Sequence, residues 1–511
     1  METRNAQCYG VRLEIDPQPT YELSPYRFMQ FMEPLGTTDS SVEAAWDHGR
    51  GCWREDLIEV TRELAPTLIR WPGGILTSYY RWREAVGPRE HRVPMHNLLW
   101  GGIESNQVGT HEFMDFCRQV GADPLIAVNF DADGNPHWAH PVEGGDRSAG
   151  PDEAAAWVDY SNRPVHAERA ANGAPQPFSV RLWQIGNETS YSTHNFDCET
   201  AALRTEAFAR AMLQTDPTIG LIGWGDSGWA RRMLQVAGEH LKYVAFHHHF
   251  GSGLDDSPLQ WNDYRLDPAR TWEHLMHAHL STDARLRQMR EEIAGFDVGL
   301  ALTESHFGLR GRNRCDVLAT WAAGVANARI LNVHERHGDV LKIATLADFC
   351  GTRWMNNAIL LPTPQGGGRA YMLPVARVMA LYRRHSGQWA ASVNTAPEEL
   401  DVTASRSGDR LFLHVVNVSR TRAARAALSV TGMRIAAGRA FEIVDDPMRE
   451  IDHRTPQLFA PKEYAVGPEG HWLFPAASVT AIELHIAENH PLADGQPPRD
   501  SLEPAGRPAA H

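Results

Sequence analysis

Eight short apolar runs, each followed by a stretch of helical periodicity, constrain this chain more than any other feature. They fall at 26–31, 68–71, 124–129, 181–185, 220–223, 243–246, 298–302 and 340–346. Between them, segments such as WREDLIEVTRELAP, THEFMDFCRQVGA and ETAALRTEAFARAML repeat apolar residues at spacings of three and four, the mark of one buried helical face. Strand and helix alternating eight times predict an α/β chain folded as a (β/α)8 TIM barrel. The competing arrangement, a doubly wound open sheet, would want a Gly-rich phosphate turn after an early strand, and none is present.

Near Trp389 the texture changes. LDVTASRSGDRLFLHVVNVS, ALSVTGM, AFEIVDD and WLFPAASVTAIELHI are short alternating strands separated by polar turns, which predict a C-terminal β-sandwich. The N-terminal strand QCYGVRLEI is expected to join it. The expected domains are 1–20 (strand joining the sandwich), 21–387 (barrel, ending on the helix in YMLPVARVMALYRRHSG), 388–487 (sandwich) and 488–511 (a disordered tail rich in Pro, Gly and charge).

A net charge of −14 argues against nucleic-acid or anionic-membrane partners, because phosphates would go unneutralised. No apolar run reaches the roughly 18 residues of a membrane span. The N-terminus lacks a secretory pattern, and six scattered cysteines form no CxxC pair, so a cytoplasmic location is expected.

Barrels of this kind carry their sites at the C-terminal ends of the strands. The ionisable residues expected there are Glu33 after strand one, Arg70 in strand two, Asn187 and Glu188 at the end of strand four, His247, His248 and His249 at the end of strand six, Glu304 at the end of strand seven and Asp348 at the end of strand eight. Glu188 and Glu304 lie on strands that face each other across the mouth. Two carboxyls about 5 Å apart can divide glycoside cleavage between an acid and a nucleophile. Arg70 is placed to hold the nucleophile ionised, a Trp-lined setting to keep Glu188 protonated, and Asn187 to bond the 2-hydroxyl of a sugar.

Alternation puts His247 and His249 on one strand face and His248 on the other. Two same-face imidazoles with Asp348 or Glu304 are a conceivable zinc set, although histidines also bond sugars and carboxylates; no metal or other cofactor is expected. His274 and His277 read as an exposed helix face, HERH as no zincin motif, and Gly366-Gly367-Gly368 as a loop without the Lys-Ser/Thr of a P-loop. Among 16 Trp, Trp82, Trp100 and Trp138 are candidates either for sugar stacking or for plain packing.

RWPGGILTSYYRWREAVGP, NLLWGGIESNQVGTHEFMDFCRQVGADPLIAVN, WVDYSN, LWQIGNE and TESHFG, in that order over about 26–387, resemble glycoside hydrolase family 51, the retaining α-L-arabinofuranosidases. The resemblance implies Glu188 as acid/base and Glu304 as nucleophile, with Glu33, Arg70, Asn187, Trp100 and His247 lining the pocket. It also implies exo action on an oligosaccharide or glycoside, and a homo-oligomer, commonly a hexamer. Four positions depart from the family pattern: Ile75 stands for a sugar-binding Asn, Pro34 for a His, His249-Phe250 for a Tyr pair and Asp348 for a Gln. These departures leave a galactofuranoside or another pentoside open as the glycone. A metal-dependent hydrolase and a non-catalytic carbohydrate-binding protein are the readings from other classes.

Overall fold

The computed structural model describes residues 11–135, 146–192, 194–311, 315–363 and 368–488. Trp138, Gly366, Gly367, the first ten residues and the tail beyond Glu488 lie outside the described residues.

The eight barrel strands are Met29–Phe31, Leu68–Trp71, Asp123–Val128, Leu182–Ile185, Gly220–Trp224, Leu241–Phe250, Gly299–Phe307 and Leu341–Ala344. They form one parallel sheet in chain order. The 3-10 turn Pro25–Phe28 packs against the eighth strand and brings the two edges of the sheet together. Met29, Leu68, Leu125, Leu182, Ile222, Tyr243, Ala245, Ala301 and Ile343 meet inside, so every strand contributes to one interior cluster. That interior is packed side chains and not a pore.

A helix follows each strand, and local chemistry fixes where several of these helices begin. Asp197 caps Cys198–Thr215 by accepting from Thr200 N at 2.8 Å. Asp267 caps Pro268–Glu292, with proline at the first position, where a missing N–H costs nothing. Gly121 ends Thr110–Val120 at φ 76, in the left-handed region that glycine enters freely.

Nine further strands form a second sheet. Val11–Asp16 lies inside it, antiparallel to Trp389–Thr395 and parallel to Ala424–Val430. Val430 also pairs with Met433, so the sheet rolls onto itself around Leu13, Ile15, Leu413, Phe474 and Ile482. Glu335, on barrel helix Trp321–Arg336, anchors this domain. It is buried against Arg27 at 3.3 Å, His414 at 3.0 Å and the Thr403 hydroxyl. Burial pushes its pKa up, but the His414 and Arg27 charges and these hydrogen bonds outweigh that and hold it at about 2.

Two placements differ from expectation. Strands six and seven continue beyond the predicted ends, so His247–His249 and Glu304 lie within strands. Asp348 does not end strand eight; it opens the small strand Asp348–Gly351, parallel to Asn357–Leu360 in a separate three-stranded sheet. Thr345–Ala347 leaves the barrel before Asp348 is reached, a break that the run VLKIATLA conceals because it holds no Gly or Pro.

Candidate active site

Arg70 sits two residues beyond Leu68 on the interior face of strand two and is fully buried. A buried guanidinium needs an anion and further acceptors. Its Nη1 donates to Glu304 Oε1 at 3.0 Å and to the Thr303 carbonyl at 3.4 Å, and its Nη2 donates to Asn187 Oδ1. One cation thereby joins strand seven to the end of strand four.

Strand seven carries a bulge opposite the Phe246–His247 step: Phe246 pairs with Leu302 and His247 with Glu304, leaving Thr303 extra. Thr303 and Glu304 consequently both reach His247. Its Nε2 lies 3.0 Å from Thr303 Oγ1, and its Nδ1 lies 2.9 Å from Glu188 Oε1 and 3.6 Å from Glu304 Oε2. Burial lowers the His247 pKa to about 3 against the pull of Glu304, so the ring is neutral at neutral pH. His249 Nε2 stands 3.9 Å from Glu304 Oε2, and its ring stacks on His306 at 4.4 Å. His248 points to the other face, where Nε2 meets Ser281 Oγ at 3.2 Å.

Glu188 has φ 52, a left-handed conformation uncommon for a side chain of this size. The three residues after it are pinned in turn. Thr189 donates to Asp133 at 2.9 Å, Ser190 Oγ accepts from Trp224 Nε1 at 2.8 Å, and Tyr191 donates to Asp226 Oδ2 at 2.7 Å. Asp226 Oδ2 also accepts from His247 N at 3.0 Å, and Asp226 is paired with Arg285. Burial would raise the Asp226 pKa; the Arg285 charge and these hydrogen bonds hold it below the usual value. The loop of Glu188 and the strand of His247 thus share one carboxylate.

Glu33 Oε1 accepts from Trp100 Nε1 at 3.0 Å and Leu76 N at 3.1 Å. Gly74, at φ 35, lets the Glu33 carboxyl lie where a Cβ would stand 1.9 Å from Oε2. Burial, then the negative charge of Glu304, raise the Glu33 pKa to about 8, so Glu33 carries a proton at neutral pH.

These groups surround a cavity of about 90 Å3. Glu33, Ile75, Trp100, Glu188, His249, Glu304 and Asp348 line it, whereas Arg70, Asn187 and His247 stand behind the carboxylates. His306, Trp354, Phe31 and Leu99 complete the wall and are not among the residues the sequence points to. His306 was findable, being two residues past Glu304 on the same strand face. Trp354, set edge-on to Trp100 at 5.3 Å, arrives on the connection between Asp348–Gly351 and Asn357–Leu360 and has no local signal.

Glu188 shares its cavity with Trp100 and Trp354, but its carboxyl meets the His247 imidazole, and Trp224 packs behind that ring at 4.7 Å. His274 is buried and bonded to Ser252 at 2.9 Å, so it is no exposed face. Trp82 stacks on Trp157 at 5.7 Å as core packing. Asp348 does not join the same-face imidazoles of strand six; His306 Nε2 lies 3.5 Å from it. Among the described residues, the ligand-bearing set at the barrel mouth is Glu188, His247, His249 and Glu304, with one donor atom of each within 4.8 Å of all the others.

An eight-stranded parallel barrel with two facing carboxyls at its mouth and an appended β domain defines the class. The alpha-L-arabinofuranosidase 1 domain family matches residues 60–264. An intracellular exo-alpha-(1->5)-L-arabinofuranosidase of Acetivibrio thermocellus is 31% identical over 40% of this chain and 40% of its own length. An exo-alpha-(1->6)-L-arabinofuranosidase of Bifidobacterium longum is 32% identical over 47% of this chain and 46% of its own. The chain thus aligns with less than half the length of these relatives. In fold, the alpha-L-arabinofuranosidase of Thermotoga maritima, solved as an arabinose complex, superposes over 92% of this chain and 99% of its own, with a TM-score of 0.75 at 23% identity. The GH51 enzyme of Thermotoga petrophila gives the same TM-score, 0.75, at 23% identity over 92% and 99% of the two chains. The sequence matches are thus to alpha-L-arabinofuranosidases over part of the chain, and the solved structures share its fold.

Proposed function

We propose that this chain is a retaining, exo-acting α-L-arabinofuranosidase. The observation that carries the reading is the approach of Glu188 and Glu304, whose facing oxygens lie within 4.8 Å. Retaining glycosidases hold their two carboxyl groups about 5–5.5 Å apart, whereas inverting ones leave room for a water, at roughly 6.5–9.5 Å.

Glu304 is the nucleophile and Glu188 the acid. Glu304 attacks the anomeric carbon while Glu188 gives its proton to the departing oxygen, leaving a glycosyl ester on Glu304. Glu188 then takes a proton from water, which releases the sugar with its configuration retained. Arg70 holds one Glu304 oxygen at 3.0 Å and leaves the other toward His247 and His249. Neutral His247 fixes the Glu188 carboxyl. The Asn187 Nδ2 is buried with no hydrogen-bond partner among the described residues and is a donor for the sugar's 2-hydroxyl, a contact that tightens as oxocarbenium character develops. Protonated Glu33 is a donor to another glycone hydroxyl. A cavity of about 90 Å3 between the carboxyls is too small for a chain of sugars, which favours exo action.

No described helix is long and apolar enough to cross a membrane. With intracellular relatives as support, we place the activity inside the cell, on short arabinosides, in a homo-oligomer of the family type. The deciding experiment is hydrolysis of 4-nitrophenyl α-L-arabinofuranoside in EDTA, with NMR of the first-formed sugar. Release of the α-anomer supports the reading. Release of the β-anomer, or no cleavage of this glycoside, overturns it.

A further inference from the structure

Four side chains at the barrel mouth converge more tightly than glycoside chemistry requires. Glu188 and Glu304 would suffice for double displacement, yet His247 Nδ1 lies 2.9 Å and 3.6 Å from their oxygens, and His249 Nε2 lies 3.9 Å from Glu304. Tetrahedral zinc, with bonds of about 2.0–2.2 Å, spaces its ligand atoms roughly 3.4 Å apart. The four atoms here already lie within 4.8 Å of one another, and two of them end flexible carboxylate side chains.

The surroundings are also those of a ligating set. Metal-binding imidazoles and carboxylates are usually oriented by a second hydrogen bond on the atom facing away from the ion. His247 Nε2 meets Thr303 Oγ1 at 3.0 Å, and Glu304 Oε1 is held by Arg70 at 3.0 Å. In the tautomer that donates Nε2–H to Thr303, the Nδ1 lone pair faces two carboxylate oxygens, an arrangement that a proton or a cation between them relieves.

We infer that Glu188, His247, His249 and Glu304 form a two-nitrogen, two-oxygen site for a divalent borderline transition ion such as Zn2+. The ion and the sugar are mutually exclusive, because both occupy the space between the two carboxyls. Zinc is therefore a reversible competitive inhibitor; that consequence, unlike the site itself, rests on the proposed glycosidase activity.

The test is titration of the full-length, EDTA-treated and dialysed chain with Co2+ alone, read by its visible d–d bands. One equivalent with four-coordinate bands is expected. Affinity should fall about tenfold or more in His249→Phe and in Glu188→Gln. His248→Phe, on the opposite strand face, should bind as wild type does and controls for adventitious histidine binding. Absence of the bands in wild type, or undiminished affinity in both site variants, overturns the site. Zn2+ should raise the apparent KM for an arabinofuranoside and leave kcat unchanged. Glycoside turnover without cobalt bands overturns the ion site alone. Cobalt bands on a chain that turns over no glycoside overturn the proposed function alone.

Discussion

Arg70 and Glu304 form an ion pair at 3.0 Å in which the guanidinium is entirely enclosed. Removing one partner strands the other's charge in the barrel. Arg70→Leu is expected to lower the unfolding free energy by about 3–5 kcal/mol and to abolish turnover. Urea denaturation reads the first effect; a loss under about 1 kcal/mol would show that solvent reaches Glu304 far more than its burial indicates.

The two carboxyls should separate by leaving group. Glu188→Ala is expected to slow cleavage by roughly 10²–10⁴ for a poor leaving group, and by much less for 4-nitrophenolate, which departs without a proton. Glu304→Gln should lose both substrates alike. Equal losses on the two substrates in Glu188→Ala would remove it as the acid.

Glu33 ties activity and stability to the same proton. Its folded pKa of about 8 lies above the ordinary 4.5, so between those values the folded chain holds a proton that the unfolded chain has released. Its contribution is complete below about 4.5 and is lost as pH rises through 8. A negative charge on Glu33 beside that of Glu304 should lower kcat/KM over the same upper range. Glu33→Gln should flatten the melting-temperature decline between pH 5 and 8 relative to wild type, as measured by calorimetry; an unchanged slope would assign the decline elsewhere.

Tyr191→Phe removes the bond that holds the Glu188 loop to Asp226. We expect kcat to fall roughly tenfold, the scale of about 1.4 kcal/mol for one hydrogen bond to a charged group, with KM little changed. A shift confined to KM would mean that Tyr191 touches substrate and does not position Glu188.

Glu335, with its pKa held at about 2, works in the opposite sense to Glu33. Its contribution is present above the unfolded value near 4.5 and is lost as pH falls toward 2. Glu335→Ala should cost about 3–5 kcal/mol at pH 7 and almost nothing near pH 2. The comparison is chemical denaturation at the two pH values, and an equal cost at both would reject the charge account.

The barrel was legible because a buried parallel strand needs only an apolar run, and each of the eight runs overlaps a strand. Glu188 and Glu304 were legible because each follows or sits in such a run. What lay beyond the sequence was long-range or sub-residue in scale. A one-residue bulge at Thr303 re-aims strand seven, and no composition signals it. Contrary to expectation, Asp348 does not end strand eight; no Gly or Pro in the run VLKIATLA signals the break after Ala344. Trp354 and Asp226 gain their positions from elements far apart in the chain, so their roles exist only once those elements meet.

The strand Val11–Asp16 is seated between two strands that leave the ribosome hundreds of residues later. During synthesis it emerges before the barrel and waits, its backbone edges open, while the entire barrel is made. A nascent chain stopped near Gly387 would therefore display an unpaired apolar strand beside a finished barrel, a template for pairing with its neighbours. The β domain made after the barrel thus has a duty to a strand made before it: it closes that strand's edges, and termination between the two should appear as aggregation before it appears as lost chemistry.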